Sequence, residues 1–428
     1  MKYVSKVNET KDEYEVTDTD YKVVTKYSGV ELFSLARHLG TLLGVNWVES
    51  KISDRSGLLK LLPYAIRDKI LGRINYYDFD KNGYLYPCYP NLLDHVDLPD
   101  WTETINHKTF GLITNITELT LGENVRTVGA FALSQTAKLR SINLNEGLLE
   151  ICEGAFTKTL IEEIVIPDSV TVIGRGAFSD CEKLKSVVLP KGLVRIEEQA
   201  FMGCTKLETI VLPEGCLCID DSAFCGCEKL KNIQFNSNLE LIGKNAFMSC
   251  KSLVDIIIPY TVESIGIGAF QECLYIESVH LPDKLSCIES STFKLCYSLR
   301  AIKLPEKCKC VDSSAFDHCA SLESVEFNNG LEEIGDRAFR QCFAIKTLEI
   351  PASVTEIREF AFSDCSSVSR LTLNTGVERI ERYAFRRCKS LISVDFPSSI
   401  NFLDETAFMN TAVNITRILR KLRRTALK

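Results

Sequence analysis

A parallel-stranded β-solenoid is the fold the sequence predicts, and three observations predict it. Twelve phenylalanines, from Phe156, Phe178 and Phe201 onward to Phe408, recur with a first step of 22 residues and every later step of 23. Around them the same apolar slots return, as in Leu184-x-x-Val187-x-Leu189, Leu193-x-x-Ile196 and Ala200-Phe201. Eight of the twelve prolines, at 167, 190, 213, 259, 282, 305, 351 and 397, stand directly after the first of these apolar runs. A fixed period of roughly 20 to 50 residues marks units that cannot bury their apolar faces alone and must stack.

Composition narrows the class further. At 428 residues the chain would make two or three ordinary domains, but a solenoid core grows by adding coils. A net charge of -7 and a pI near 5.5 argue against nucleic acid as the partner and leave protein or carbohydrate. The first residues, MKYVSKVNETKDEYEV, lack the apolar core of a signal peptide, and no run approaches the ~18 apolar residues of a membrane helix. The eighteen cysteines are therefore expected to be reduced thiols in a cytoplasmic protein. A secreted or cell-surface protein exported by a non-standard route is the alternative.

Residues 1–112 do not carry the period and are expected to form a mixed α/β flanking and capping region. Glu13 to Tyr27 is polar, β-branched and aromatic, which predicts a hairpin or extended arm. Ser28-x-x-Glu31 has capping-box spacing ahead of Leu32, Leu35, Leu39 and Leu43, and a second helical stretch spans Leu58 to Leu71. Asp78-x-Asp80-x-Asn82-Gly83 copies the first half of a calcium loop, but Tyr89 stands where the loop needs a bidentate Glu. A turn between Tyr76-Tyr77 and Tyr84-Leu85-Tyr86 is the reading, with no metal.

The solenoid is assigned to 113–411. Leu184-x-x-Val187-x-Leu189 reads as a short strand with Val187 inward and Ser186 and Val188 outward. Stacking gives a parallel sheet of roughly 13 short strands, about 60 Å long. Pro ends each strand by withholding an N–H, and Asn145, Asn236, Asn328 or Asn374 opens the turn where Pro is absent. The Leu193-x-x-Ile196 pair predicts a shorter return strand, and the Ala-Phe-x-x-Cys run a tight helical turn whose Phe fills the coil. Residues 412–428 place Ile415, Ile418, Leu419 and Leu422 at helical spacing among six bases and no acid. This predicts a basic amphipathic C-terminal helix that caps the last coil, with contact to an anionic surface as its second reading.

The unit LxxIxLPxxLxxIxxxAFxxCxxL, as written over 184–207, resembles the BspA-like class of leucine-rich repeat proteins across about 116–411. The resemblance implies a curved leucine-rich-repeat solenoid used for adhesion or protein binding.

Ten cysteines, Cys181 to Cys388, stand three residues after the Phe, and a column of small apolar side chains in that slot reads as core packing. The cluster Cys216, Cys218, Cys225 and Cys227 falls in the same repeating slots, so no zinc site is assigned. Cys287 and Cys310 share a slot one coil apart but are expected to stay reduced. Asp255, Ser278 and His280 share a face, yet no strained nucleophile turn or oxyanion pocket accompanies them. No catalytic residue or cofactor is assigned.

What varies from coil to coil is the pair of outward strand positions. One column is mostly small and polar; the other runs Val165, Val188, Val211, Gln234, Ile257, His280, Lys303, Glu326, Glu349. Its first half is apolar and its second charged, which suits a protein or peptide ligand on the concave sheet. The function expected is a non-enzymatic interaction scaffold or adhesin-like recognition protein. The alternative is an effector or enzyme whose activity sits in 1–112, with the repeats choosing the target.

Overall fold

The computed structural model describes residues 116–425 continuously, and before them 2–6, 13–18, 23–28, 77–79, 85–87, 95–98, 102–105, 107 and 110. Two compact units divide the chain, Met1–Leu160 and Ile161–Lys428. Ser28, the expected helix cap, ends a strand, and the helices expected over residues 29–43 and Leu58–Leu71 lie outside the described residues.

In the first unit, Glu13–Asp18 pairs antiparallel with Val23–Ser28, the hairpin expected there, and Lys2–Lys6 adds a third strand. Tyr77–Phe79 and Leu85–Pro87 pair antiparallel across the stretch that copies half a calcium loop. Parallel coils begin before residue 113. His95–Asp97 pairs with Glu118–Thr120, and Thr104–Ile105 with Thr127–Val128. Phe110 is fully buried and its amide donates to the Ala132 carbonyl at 2.9 Å, as later core phenylalanines do to the next coil. The period runs 110, 133, 156, but Leu133 replaces the Phe in the middle coil and hides it.

The second unit is the solenoid proper, and each coil has three hydrogen-bonded walls. Three-residue strands such as Glu163–Val165 and Ser186–Val188 pair parallel in register, Ile164 facing Val187. Two-residue strands on the second wall form longer ladders, from Arg195–Ile196 to Ser264–Ile265 and from Cys287–Ile288 to Phe402–Leu403. The third wall differs from the expected helical turn. Alternate N–H groups there reach forward to the next coil, as from Phe178 to Ala200 and from Phe201 to Ala223, both 2.8 Å. Residues two before and two after the core Phe, such as Gln199 and Gly203, take left-handed backbone. That kink sends alternate amides along the stack, while those between close short turns within the coil, as from Met202 to the Gln199 carbonyl at 3.0 Å.

The turns close as their residues dictate. After Pro190 and Pro213 the amides of Leu193 and Cys216 return to the proline carbonyls at 3.2 and 3.0 Å. Where Asn replaces Pro, its amide staples the preceding turn: Asn328 Nδ2 donates to the carbonyls of Pro305 and Cys308, and Asn236 to those of Pro213 and Cys216. Gly243 and Gly266 mark a close approach of coils, since an added Cβ would lie 2.6 and 2.5 Å from the preceding backbone.

Eleven core rings, Phe178 to Phe408, stack coil on coil with centroids 5.0–5.6 Å apart and planes within 12°. That spacing with parallel planes is an offset stack, the arrangement the ring quadrupole favours. Beside it, the cysteine column is buried, and from Cys204 to Cys388 each thiol donates to the Phe carbonyl of the preceding coil: Cys204 to Phe178, Cys250 to Phe224, Cys319 to Phe293, all at 3.2 Å. Burial pushes these thiols up, Cys388 to about 12, so they stay protonated and able to donate. Thr411, ending the column, instead donates to Phe408 of its own coil.

One expectation about the thiols fails: Cys287 and Cys310 form a disulfide. The register pairs them directly, with Cα atoms 4.7 Å apart and both side chains leaving the same wall, which brings the Cβ atoms within bonding reach. Non-reducing peptide mapping should recover the 287–310 cross-link, and reduction should cost about 3 kcal/mol for a loop of this length; a map showing two free thiols would contradict it.

The C-terminal helix spans Thr416–Thr425. Asn414 Oδ1 accepts from the Thr416 amide at 3.0 Å, a capping contact at its start. Ile415, Ile418, Leu419 and Leu422 are half-buried while Arg417, Arg420 and Lys421 are exposed. The apolar stripe thus faces protein, as a cap requires. Deleting 412–428 should lower the melting temperature by several degrees and promote aggregation; a soluble, equally stable product would contradict capping. Among the described residues no helix is long and apolar enough to cross a membrane.

Candidate partner-binding face

The three-residue strands sort their side chains by period two, so the middle residue enters the core and its neighbours face solvent. Val187 is buried and Val188 exposed; Ile256 is buried and Ile257 exposed. Because the register carries each slot onto the same slot 23 residues later, outward residues form columns. Val165 faces Val188, Val211 faces Gln234, Ile257 faces His280, and Lys303 faces Glu326.

All nine residues expected on this face are exposed: Val165, Val188, Val211, Gln234, Ile257, His280, Lys303, Glu326 and Glu349. The apolar members are exposed by 67% at Val165, 55% at Val188 and Val211, and 71% at Ile257. Tyr260, 73% exposed and just past Pro259 in the same coil as Ile257, extends this apolar surface. Slot reasoning on the strand alone missed it. The signal was available, since Asp168, Lys191, Glu214, Asp283 and Glu306 occupy the same turn position.

The charged half is internally matched. Lys303 Nζ lies 2.8 Å from Glu326 Oε1, and that hydrogen bond together with the carboxylate charge holds the ammonium above its ordinary range. Both groups are exposed, so the pair adds little stability and serves better to shape the local field.

Asp255, Ser278 and His280 do fall on this face, but not as a hydrolytic triad. Ser278 Oγ donates to Asp255 Oδ1 at 2.5 Å, so the hydroxyl proton points at a carboxylate instead of an imidazole. The four clustered cysteines separate by slot: Cys216 and Cys227 are buried, Cys218 and Cys225 half-buried. Burial pushes Cys216 up to about 11, and among the described residues no three His, Cys, Asp or Glu converge where a metal could sit.

Comparison with known proteins fits this architecture. The family described as BspA type leucine-rich repeat region matches over residues 85–208, 173–300 and 286–414, with six copies. A leucine-rich repeat protein from Bacteroides ovatus is 26% identical, with a TM-score of 0.66, over 79% of this chain and 97% of its own. A leucine-rich cell surface protein from Faecalibacterium prausnitzii is also 26% identical, over 70% and 86% of the two chains, with a TM-score of 0.43. The pneumococcal vaccine antigen PcpA is 16% identical over 80% and 98%, with a TM-score of 0.48. Comparison with curated proteins found no match. Matched over most of its length, and built from the strand, turn and Phe-x-x-Cys slots that define the repeat, the chain belongs to the BspA-type leucine-rich repeat family.

Proposed function

We propose that the protein is a non-enzymatic interaction scaffold that takes a protein or peptide partner on the outward face of its three-residue strands. Val165, Val188, Val211, Ile257 and Tyr260 form the anchor, and the half from Lys303 to Glu349 sets orientation. The observation that carries the reading is the exposure of branched apolar side chains in one slot of three successive coils. Strand propensity alone does not account for them. The same slot in the same strand geometry holds Gln234, His280, Lys303, Glu326 and Thr372 elsewhere, so the wall does not demand an apolar residue. Contiguous exposed apolar surface with a polar surround is the usual mark of a protein contact. Exposed Arg417, Arg420 and Lys421 on the terminal helix support an accessory contact with an anionic surface.

The test is photo-crosslinking. Benzoylphenylalanine replacing Val188 should label a partner polypeptide, whereas the same group replacing Val172, exposed on the two-residue-strand wall, should not. Equal labelling from both positions would contradict the assignment.

A further inference from the structure

A second surface, away from the three-residue strands, carries its own signature. From Phe178 to Phe385 the slot two residues before the core Phe is left-handed in every coil, and seven successive coils fill it with Gly176, Gln199, Ser222, Asn245, Gly268, Ser291 and Ser314. The next three hold Arg337, Phe360 and Tyr383, with φ of 56°, 57° and 58°. Bulky side chains avoid this backbone region, and such departures concentrate where a protein needs a particular group in a particular place.

These three side chains assemble. Phe360 and Tyr383 lie 5.0 Å apart between ring centroids, and Arg337 Cζ sits 5.3 Å over Phe360. Arg382 and Arg386 place Cζ 4.7 and 5.3 Å from the Tyr383 ring centroid. The result is an aromatic platform edged with guanidinium groups.

Two of those guanidiniums lack a carboxylate among the described residues. Cross-coil ion pairs are common in this solenoid, as at Arg175–Glu198 and Lys251–Glu228. In the slot after the core Phe, Arg340 has a buried carboxylate, Asp317, which it meets at 2.9 and 3.0 Å. Arg386 occupies that slot two coils on, where its neighbour is Ser363, and its Nε is buried with no hydrogen-bond partner. Arg337 likewise forms no ion pair. The charge of the unit is polarised in the same sense: residues 207–336 carry ten Lys and Arg against twenty Asp and Glu, and residues 337–428 carry sixteen against nine.

From this arrangement we propose that Arg337, Phe360, Tyr383 and Arg386 form a binding site for an acidic linear segment of a protein partner. Guanidinium groups stacked on rings keep their N–H edges free for bidentate carboxylate contacts. Glu359, Asp364 and Glu381 are interleaved with the bases, which opposes a continuous phosphate backbone but leaves room for discrete carboxylates. Arg337 and Arg386 lie two coils apart, about 10 Å at ~4.8 Å per strand, and an extended peptide covers that in roughly three residues. The segment expected therefore carries Asp or Glu three residues apart, with an aromatic or aliphatic side chain between them for the rings.

The experiment uses the full-length protein and a fluorescent peptide with two Glu three residues apart flanking a Phe, read by anisotropy at low and high salt. The wild-type protein should bind with salt-sensitive affinity, and Arg337→Gln with Arg386→Gln should weaken it at least tenfold. Tyr383→Gly should lose binding while its melting temperature is unchanged or higher, because glycine relieves the left-handed backbone. Four outcomes would overturn the site: no binding by the wild type, equal binding of the Gln-for-Glu peptide, phosphatidylserine vesicles bound in preference to the peptide, or a destabilised Tyr383→Gly that still binds.

Discussion

Phe293→Ala is expected to cost about 4 kcal/mol and to divide the solenoid's unfolding into two steps. Removing a buried phenylalanine typically costs ~3–5 kcal/mol, because the lost transfer energy is joined by a cavity that rigid surroundings do not fill. Here the ring is fully buried and stacked on both sides, 5.6 Å from Phe270 and 5.5 Å from Phe316. A solenoid's cooperativity is a sum of nearest-neighbour interfaces, so one broken interface in mid-array uncouples the coils on either side. Phe408→Ala, at the end of the column, where the ring stacks on Phe385 alone and meets Phe396 edge-on, should cost less and leave a single transition. Denaturant unfolding followed by fluorescence and by proteolysis at the central coils separates these cases. One unchanged cooperative transition in Phe293→Ala would mean that the column does not couple the coils.

Val188→Asp combined with Val211→Asp is expected to reduce partner affinity more than a hundredfold with the fold intact. Each valine buried at an interface contributes on the order of 1.5 kcal/mol or more, and a carboxylate in its place must be desolvated. Together these exceed about 3 kcal/mol, and ~1.4 kcal/mol is a factor of ten. The fold should tolerate both changes, because the side chains point to solvent and neighbouring coils already hold Gln234, Lys303 and Glu326 in the slot.

Much of this was legible in the sequence, because a repeat states each slot many times. Strand polarity, the inward Leu and Ile, the stacked Phe and the outward columns all follow from the period and from side-chain alternation. The thiol donors were not legible, since a Cys reaches the Phe 26 residues back only once the coils have a defined offset. The adjacency of Cys287 and Cys310 followed from their shared slot, but their bond did not, because side chains on parallel strands are poorly aimed in general and a reducing compartment was expected. The start of the coils was concealed by Leu133 and by Thr109, which replaces Ala before Phe110. Tyr260 was not legible because it stands past Pro259, outside the strand alternation, and the left-handed aromatics were not because backbone conformation is not written in spacing.

The central claim is that one wall of the solenoid, the three-residue strands, binds the partner. It is tested most directly by measuring the affinity of one identified partner for two matched variants, Val188→Asp/Val211→Asp on that wall and Val172→Asp/Leu241→Asp on the two-residue-strand wall. Val172 and Leu241 are also exposed strand residues, so the backbone context is matched. A loss above a hundredfold for the first pair with less than twofold for the second is the predicted result; equal losses, or none from the first pair, would contradict it.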